Sequence, residues 1–209
     1  MAYETDEQQA EALKQWWAEN GKQVIFGIVI GLVGVFGWRG WQEHRADVNA
    51  SAAQALGQML EISGQGETDQ ALVQGQKIID EYANTLYADL ASLNLAAALV
   101  GRGEEAAALA HLQRVIEQRR DPALTDLARL RLARLLLSLE RAEEARALLD
   151  SIGKAYAAEV ESIRGDIALA AGDLEAARQA YERALAEGLA DTDMIRLKLD
   201  DLAGTQASQ

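Results

Sequence analysis

The chain has 209 residues, one Pro, no Cys and a net charge of −13, and it is 49% hydrophobic but only 5% aromatic. The lack of cysteine excludes disulfides, thiol nucleophiles and thiolate metal sites, and a composition rich in Ala, Leu, Glu and Arg suits packed helices rather than a β-sandwich or barrel. Residues 1–41 hold Lys14, Lys22 and Arg39 against five acids, leaving 17 basic and 28 acidic residues beyond them, and a soluble part this acidic repels phosphate backbones, so no nucleic acid is expected as a partner.

In chain order, residues 1–21 read as a short helical segment over 5–19. Thr5 and Gln8 match a capping box, and Asn20-Gly21 is the expected stop. The uncharged run Gln23–Trp38 is 16 residues long, short of the ~20 that an upright membrane helix needs. Lys22 and Arg39 extend it, because their stems lie in lipid while their charged heads reach the interface. A transmembrane helix over 22–41 follows. Trp16 and Trp17 precede the run and Trp38 and Trp41 end it, where aromatic belts sit. A buried core helix would not put every Trp at its two ends. A cleaved signal peptide would need a basic start and small residues after the run, and neither is present. Lys14 and Lys22 balance Arg39 and Arg45, so charge alone does not orient the span. Gly27, Gly31 and Gly34 share one helix face, which is either a docking face for another membrane helix or the ordinary glycine content of such helices.

Beyond the span, residues 42–66 read as a long connecting helix. Its seam of Val48, Ala52, Ala55, Met59 and Ile62 must pack on something, and Gly64-Gln65-Gly66 breaks it. Helices are then predicted over 68–82, 86–101, 104–118, 122–139, 141–151, 154–171, 174–187 and 192–202. Pro122 suits a first turn, where its missing N–H has no intrahelical partner. No segment alternates with period two, so no strands are expected. Residues 203–209 read as a disordered tail.

A repeat runs through these helices. Gly172 is followed by Ala177, Tyr181 and Ala184; Glu140 by Ala145, Leu149 and Ile152; Gly103 by Ala108, Leu112 and Val115. The spacing of five, four and three is the same each time, and a period near 34 with two helices per unit is the tetratricopeptide (TPR) signature. A small residue lets the second helix press on the first, and the residue one turn later fills the gap. The stretch 68–99 reads as degenerate, and a plain antiparallel bundle remains the competing architecture. Residues 67–202 are thus read as a TPR-like repeat domain, and the fold as all-α: one N-terminal transmembrane helix followed by an α-solenoid.

Catalytic chemistry finds no purchase. His44 and His111 lack any metal-ligand spacing, no Ser sits in a nucleophile elbow, and no phosphate-binding loop is present. Acidic pairs such as Glu104-Glu105 suit first helical turns, where the dipole favours anions. No catalytic residue, metal or cofactor is expected, and the chain is read as a non-enzyme. The run Arg129, Arg131, Arg134, Arg141 and Arg146 allows two readings: a basic groove for acidic peptides, or ion pairs with Asp126, Glu140, Glu143 and Glu144 on solvated faces.

The block Leu13-Lys14-Gln15-Trp16-Trp17, then Asn20-Gly21-Lys22, then a glycine-rich span ending Gly37-Trp38-Arg39, resembles the YfgM-like ancillary SecYEG translocon subunits of Gram-negative bacteria, as does the repeat from Gly165 to Ala184. The resemblance covers essentially the whole chain. It implies an inner-membrane protein with a cytoplasmic N-terminus and a periplasmic C-terminal domain. It further implies partnership with the SecYEG translocon, with a PpiD-like periplasmic chaperone and with newly translocated or unfolded polypeptides. It carries no catalytic residues. From the residues alone, a membrane-anchored scaffold that sequesters a cytosolic signalling protein is the alternative.

Overall fold

The computed structural model describes residues 2–190 and 192–207, which contain no β-strand. The elements are α1 (Ala2–Gly64), α2 (Thr68–Glu81), α3 (Leu86–Gly101), α4 (Glu105–Gln118), α5 (Pro122–Ser138), α6 (Ala142–Leu149), a 3-10 turn (Lys154–Tyr156), α7 (Ala157–Ala170), α8 (Leu174–Ala186) and α9 (Thr192–Ala207). They fall into two compact units, residues 1–51 and 52–209, each described by itself.

In the first unit the expected break at Asn20-Gly21 is absent, because α1 runs through it. Asn20 Nδ2 donates to the Trp16 carbonyl at 3.1 Å, so its side chain bonds within the helix instead of ending it. A Cβ on Gly21 would come within 3.2 Å of the Trp17 indole, so this glycine seats a ring. The helix already begins at Ala2, which removes Thr5 as its start; the Thr5 and Gln8 side chains of the expected capping box lie outside the described residues. Large apolar side chains from Ile25 to Trp41 are exposed throughout. This helix is long and apolar enough to cross a membrane: an 18-residue stretch has mean hydropathy 1.7 and is 0% buried.

The second unit starts with the last turns of α1. Ala52, Leu56 and Met59 are buried, so the end of the expected 42–66 connector is the first helix of the repeat array. The array is four helix pairs: the end of α1 with α2, α3 with α4, α5 with α6, and α7 with α8. Each pair turns in the same way. Gly66, Gly103, Glu140 and Gly172 all have positive φ, between 60° and 84°. The next residue's N–H donates five residues back: Glu67 to Ile62, Glu104 to Leu99, Arg141 to Leu136, Asp173 to Ala168, at 2.9–3.2 Å. These bonds cap carbonyls that the ending helix would leave open. Asp121 and Asp173 start the following helices by accepting from Leu124 and Ala176.

Most of the core is one buried cluster running from Leu56 to Ile167. A smaller cluster of Ala177, Tyr181, Ile195 and Leu202 lets α9 cover the last pair, as a capping helix does in a solenoid. α9 continues to Ala207, so the tail expected from 203 is helical that far; no helix-ending Pro or capped turn interrupts it, and Gly204 is tolerated at modest cost.

Candidate functional site

Two surfaces can do something chemical. The first is the apolar part of α1. Trp38 and Trp41 stand with ring centroids 5.2 Å apart, and the Arg45 guanidinium lies 4.8 Å above the Trp41 ring. Trp16 and Trp17, at 6.5 Å, form the matching aromatic pair before the apolar run. Gly27, Gly31 and Gly34 lie open, with nothing within 4 Å of an added Cβ.

The second is a groove of about 450 Å³ between α3 and α5, within the roughly 300–1,000 Å³ of ligand-sized clefts. Ala96, Ala97 and Val100 form one wall and Leu112 and Leu135 the floor. Its charged members, Arg131 and Arg134, stand at i, i+3 on one face of α5. Arg131 Nη1 donates to the Leu93 carbonyl at 3.0 Å. Among the described residues, neither arginine has a carboxylate at ion-pair distance.

Most of the other arginines pair with acids. Asp89 is buried and accepts from Arg120 at 2.6 Å and Arg114 at 3.1 Å, tying the turn before α3 to the turn after α4. Arg129 pairs with Asp126 at 2.8 Å, and Arg141 holds Glu144 with two bonds of 2.7 Å. Burial opposes ionisation of Glu161, but hydrogen bonds from Arg183 and Arg164 outweigh it and hold the carboxyl below its usual range. Tyr181 is fully buried; burial first, and its 2.7 Å bond to Asp166 second, push its phenol far above the usual range. Burial, with Arg114 nearby, lowers His111. Among the described residues no group of three His, Asp or Glu is placed to hold a metal.

The model of the tetratricopeptide repeat-like domain family matches residues 14–204. The ancillary SecYEG translocon subunit of Escherichia coli is 35% identical over 204 residues, 96% of this chain and 98% of that protein. The chain belongs to the ancillary SecYEG translocon subunit family. The subunit of the same name from Haemophilus influenzae is 32% identical over 97% of this chain and 100% of its own length. Among solved structures, Pseudomonas aeruginosa pilF aligns with TM-score 0.63 at 18% identity, covering 78% of this chain and 72% of that one. A tetratricopeptide repeat protein from Parabacteroides merdae aligns at 0.62 and 14%, over 75% of this chain and 59% of that one. At these identities the structural likeness speaks to the fold: a TPR-type helical array.

In this family member Ala108, Leu112, Val115, Ala145, Leu149, Ala177, Tyr181 and Ala184 are buried along the second helices of their pairs. Ile152 is only half-buried, because α6 stops at Leu149 and leaves it in the following turn. The first pair escaped sequence reading. Gly66, Ala71, Gly75 and Ile78 carry the same spacing of five, four and three, but a glycine stands where the others have a bulky residue. The structure shows why. A Cβ on Gly75 would lie 2.0 Å from Leu95 Cδ1 and 3.1 Å from Met59 Sδ, so neighbouring side chains already fill that space.

Proposed function

We propose that this chain is a non-enzymatic accessory subunit of the SecYEG protein translocon. Residues 22–41 anchor it in the inner membrane, with 1–21 cytoplasmic and the repeat domain periplasmic. Trp16, Trp17, Lys22, Trp38, Arg39 and Trp41 hold the anchor at the two interfaces, since amphipathic rings and long cationic side chains suit that depth. The repeat domain links emerging polypeptides to periplasmic chaperones, a PpiD-like membrane-anchored chaperone among them. The supporting observation is that similarity to named translocon subunits spans 96% of the chain, apolar helix and repeats alike.

Gly27, Gly31 and Gly34 are the proposed approach face for a translocon helix, because a helix without side chains there lets another backbone come close. Photocrosslinkers at positions 27, 31 and the α3–α5 groove test the reading in cells. Adducts with translocon subunits from the first two, and with chaperone or client from the third, are expected. If no position yields a translocon or chaperone adduct, the reading is wrong. The pair Gly27→Leu and Gly31→Leu should cut the membrane adducts several-fold; an unchanged yield would reject the glycine face alone.

A further inference from the structure

The groove between α3 and α5 lies in a domain with 28 acids and 17 bases over residues 42–209. In such a domain an arginine finds a carboxylate easily, and Arg102, Arg114, Arg120, Arg129, Arg141, Arg164, Arg178 and Arg183 all do. Arg131 and Arg134 meet no acid among the described residues, as Arg45, Arg119 and Arg146 do not, but these two line the same apolar groove. Arg131 spends one N–H on the Leu93 carbonyl, leaving four of the five donors of a guanidinium.

The repeat shows what the position of Arg134 is suited to hold. Arg134 stands six residues before Glu140, and Asp166 stands six before Gly172. At that equivalent place Asp166 is met by the Lys198 ammonium from α9 and by the Tyr181 hydroxyl. The chain closes its own ion pair at the last repeat and offers an open cation at the one before.

We infer that this groove binds an extended polypeptide segment in which an Asp or Glu is flanked by aliphatic side chains. Arg131 and Arg134 receive the carboxylate with charge-assisted hydrogen bonds, and Ala96, Ala97 and Val100 take the flanking side chains. The groove is too small for a folded surface, and the surrounding acids repel a phosphate polymer. The inference rests on the proposed client- or chaperone-binding role and names the chemistry it selects.

The full chain in nanodiscs of neutral phosphatidylcholine provides the test. Two dye-labelled heptapeptides serve as probes, one with a central glutamate among Val and Leu, the other with glutamine in its place. Anisotropy should show the glutamate peptide binding about tenfold tighter, the scale of one charge-assisted bond in water. Arg134→Gln should weaken that preference several-fold, and Arg131→Gln with Arg134→Gln should abolish it. Ala97→Trp should block both peptides while leaving the circular dichroism melting curve in place, since Ala97 is exposed. Equal binding of the two peptides, an unaltered preference in Arg134→Gln, or occupation of the groove by a second copy of the chain would each overturn the inference. A flat peptide result with intact translocon crosslinks sinks only the groove; lost crosslinks with a retained peptide preference sink only the translocon reading.

Discussion

Glu140 is the one pair-turn residue that lacks a glycine's freedom. It sits at φ 60°, where Gly66, Gly103 and Gly172 stand in the other turns. A Cβ in the left-handed region is strained, although glycine gives back some of the gain through the unfolded chain. Glu140→Gly is expected to stabilise the domain by about 0.5–1 kcal/mol, measured as a higher urea midpoint at unchanged slope. His111 gives the second residue-scale expectation. Burial, with Arg114 nearby, holds it below its ordinary value of 6.5, so the unfolded chain binds more protons at mildly acidic pH. Its contribution is fully present above pH 6.5 and fades as pH falls toward the folded value. Urea midpoints should therefore drop between pH 8 and pH 5, and His111→Gln should flatten that part of the slope. A slope unchanged in the variant would show that His111 does not supply it.

At the scale of elements, side-chain size alternates across each pair. Met59 stands at the place equivalent to Ala96, Ala133 and Gly165, each seven residues before the turn residue; Gly75 stands at the place of Leu112, Leu149 and Tyr181. Large meets small in every pair. In the last pair a Cβ on Gly165 would come 2.4 Å from the Tyr181 ring. Gly165→Ala should cost about 2 kcal/mol by overpacking. Adding Tyr181→Leu should recover part of that loss, and two additive penalties in the double-mutant cycle would refute the contact. This alternation also explains what could be read from sequence. Three pairs were legible because Leu112, Leu149 and Tyr181 are bulky; the first was hidden because its bulk sits on Met59 and Leu95. Helix limits were legible to within a few residues because Gly, Asp and Pro punctuate them. Asn20-Gly21 misled because the same stop signals serve Trp16 and Trp17 when a helix runs through them. The arginine run and its pairing with Asp126 and Glu144 were legible, but that Arg131 turns to the Leu93 carbonyl and lines a groove with Arg134 depends on α3 packing beside α5, fixed only by the fold.

For the molecule as a whole, the paired sizes bear on ancestry and modularity. Gly66 and Gly103 are 37 residues apart, as are Gly103 and Glu140. Excising 67–103 would join Gly66 to Glu104 and regenerate a native turn. It would also set Met59 against Leu112, two large side chains where every native pair has one small partner. Such a chain is expected to lose helical ellipticity and melt broadly, and restoring Met59→Ala in it should recover a cooperative transition. A repeat protein is commonly imagined as beads that can be added or dropped. Here each bead has been cut to fit its own neighbour, so duplication could have built the array but can no longer edit it.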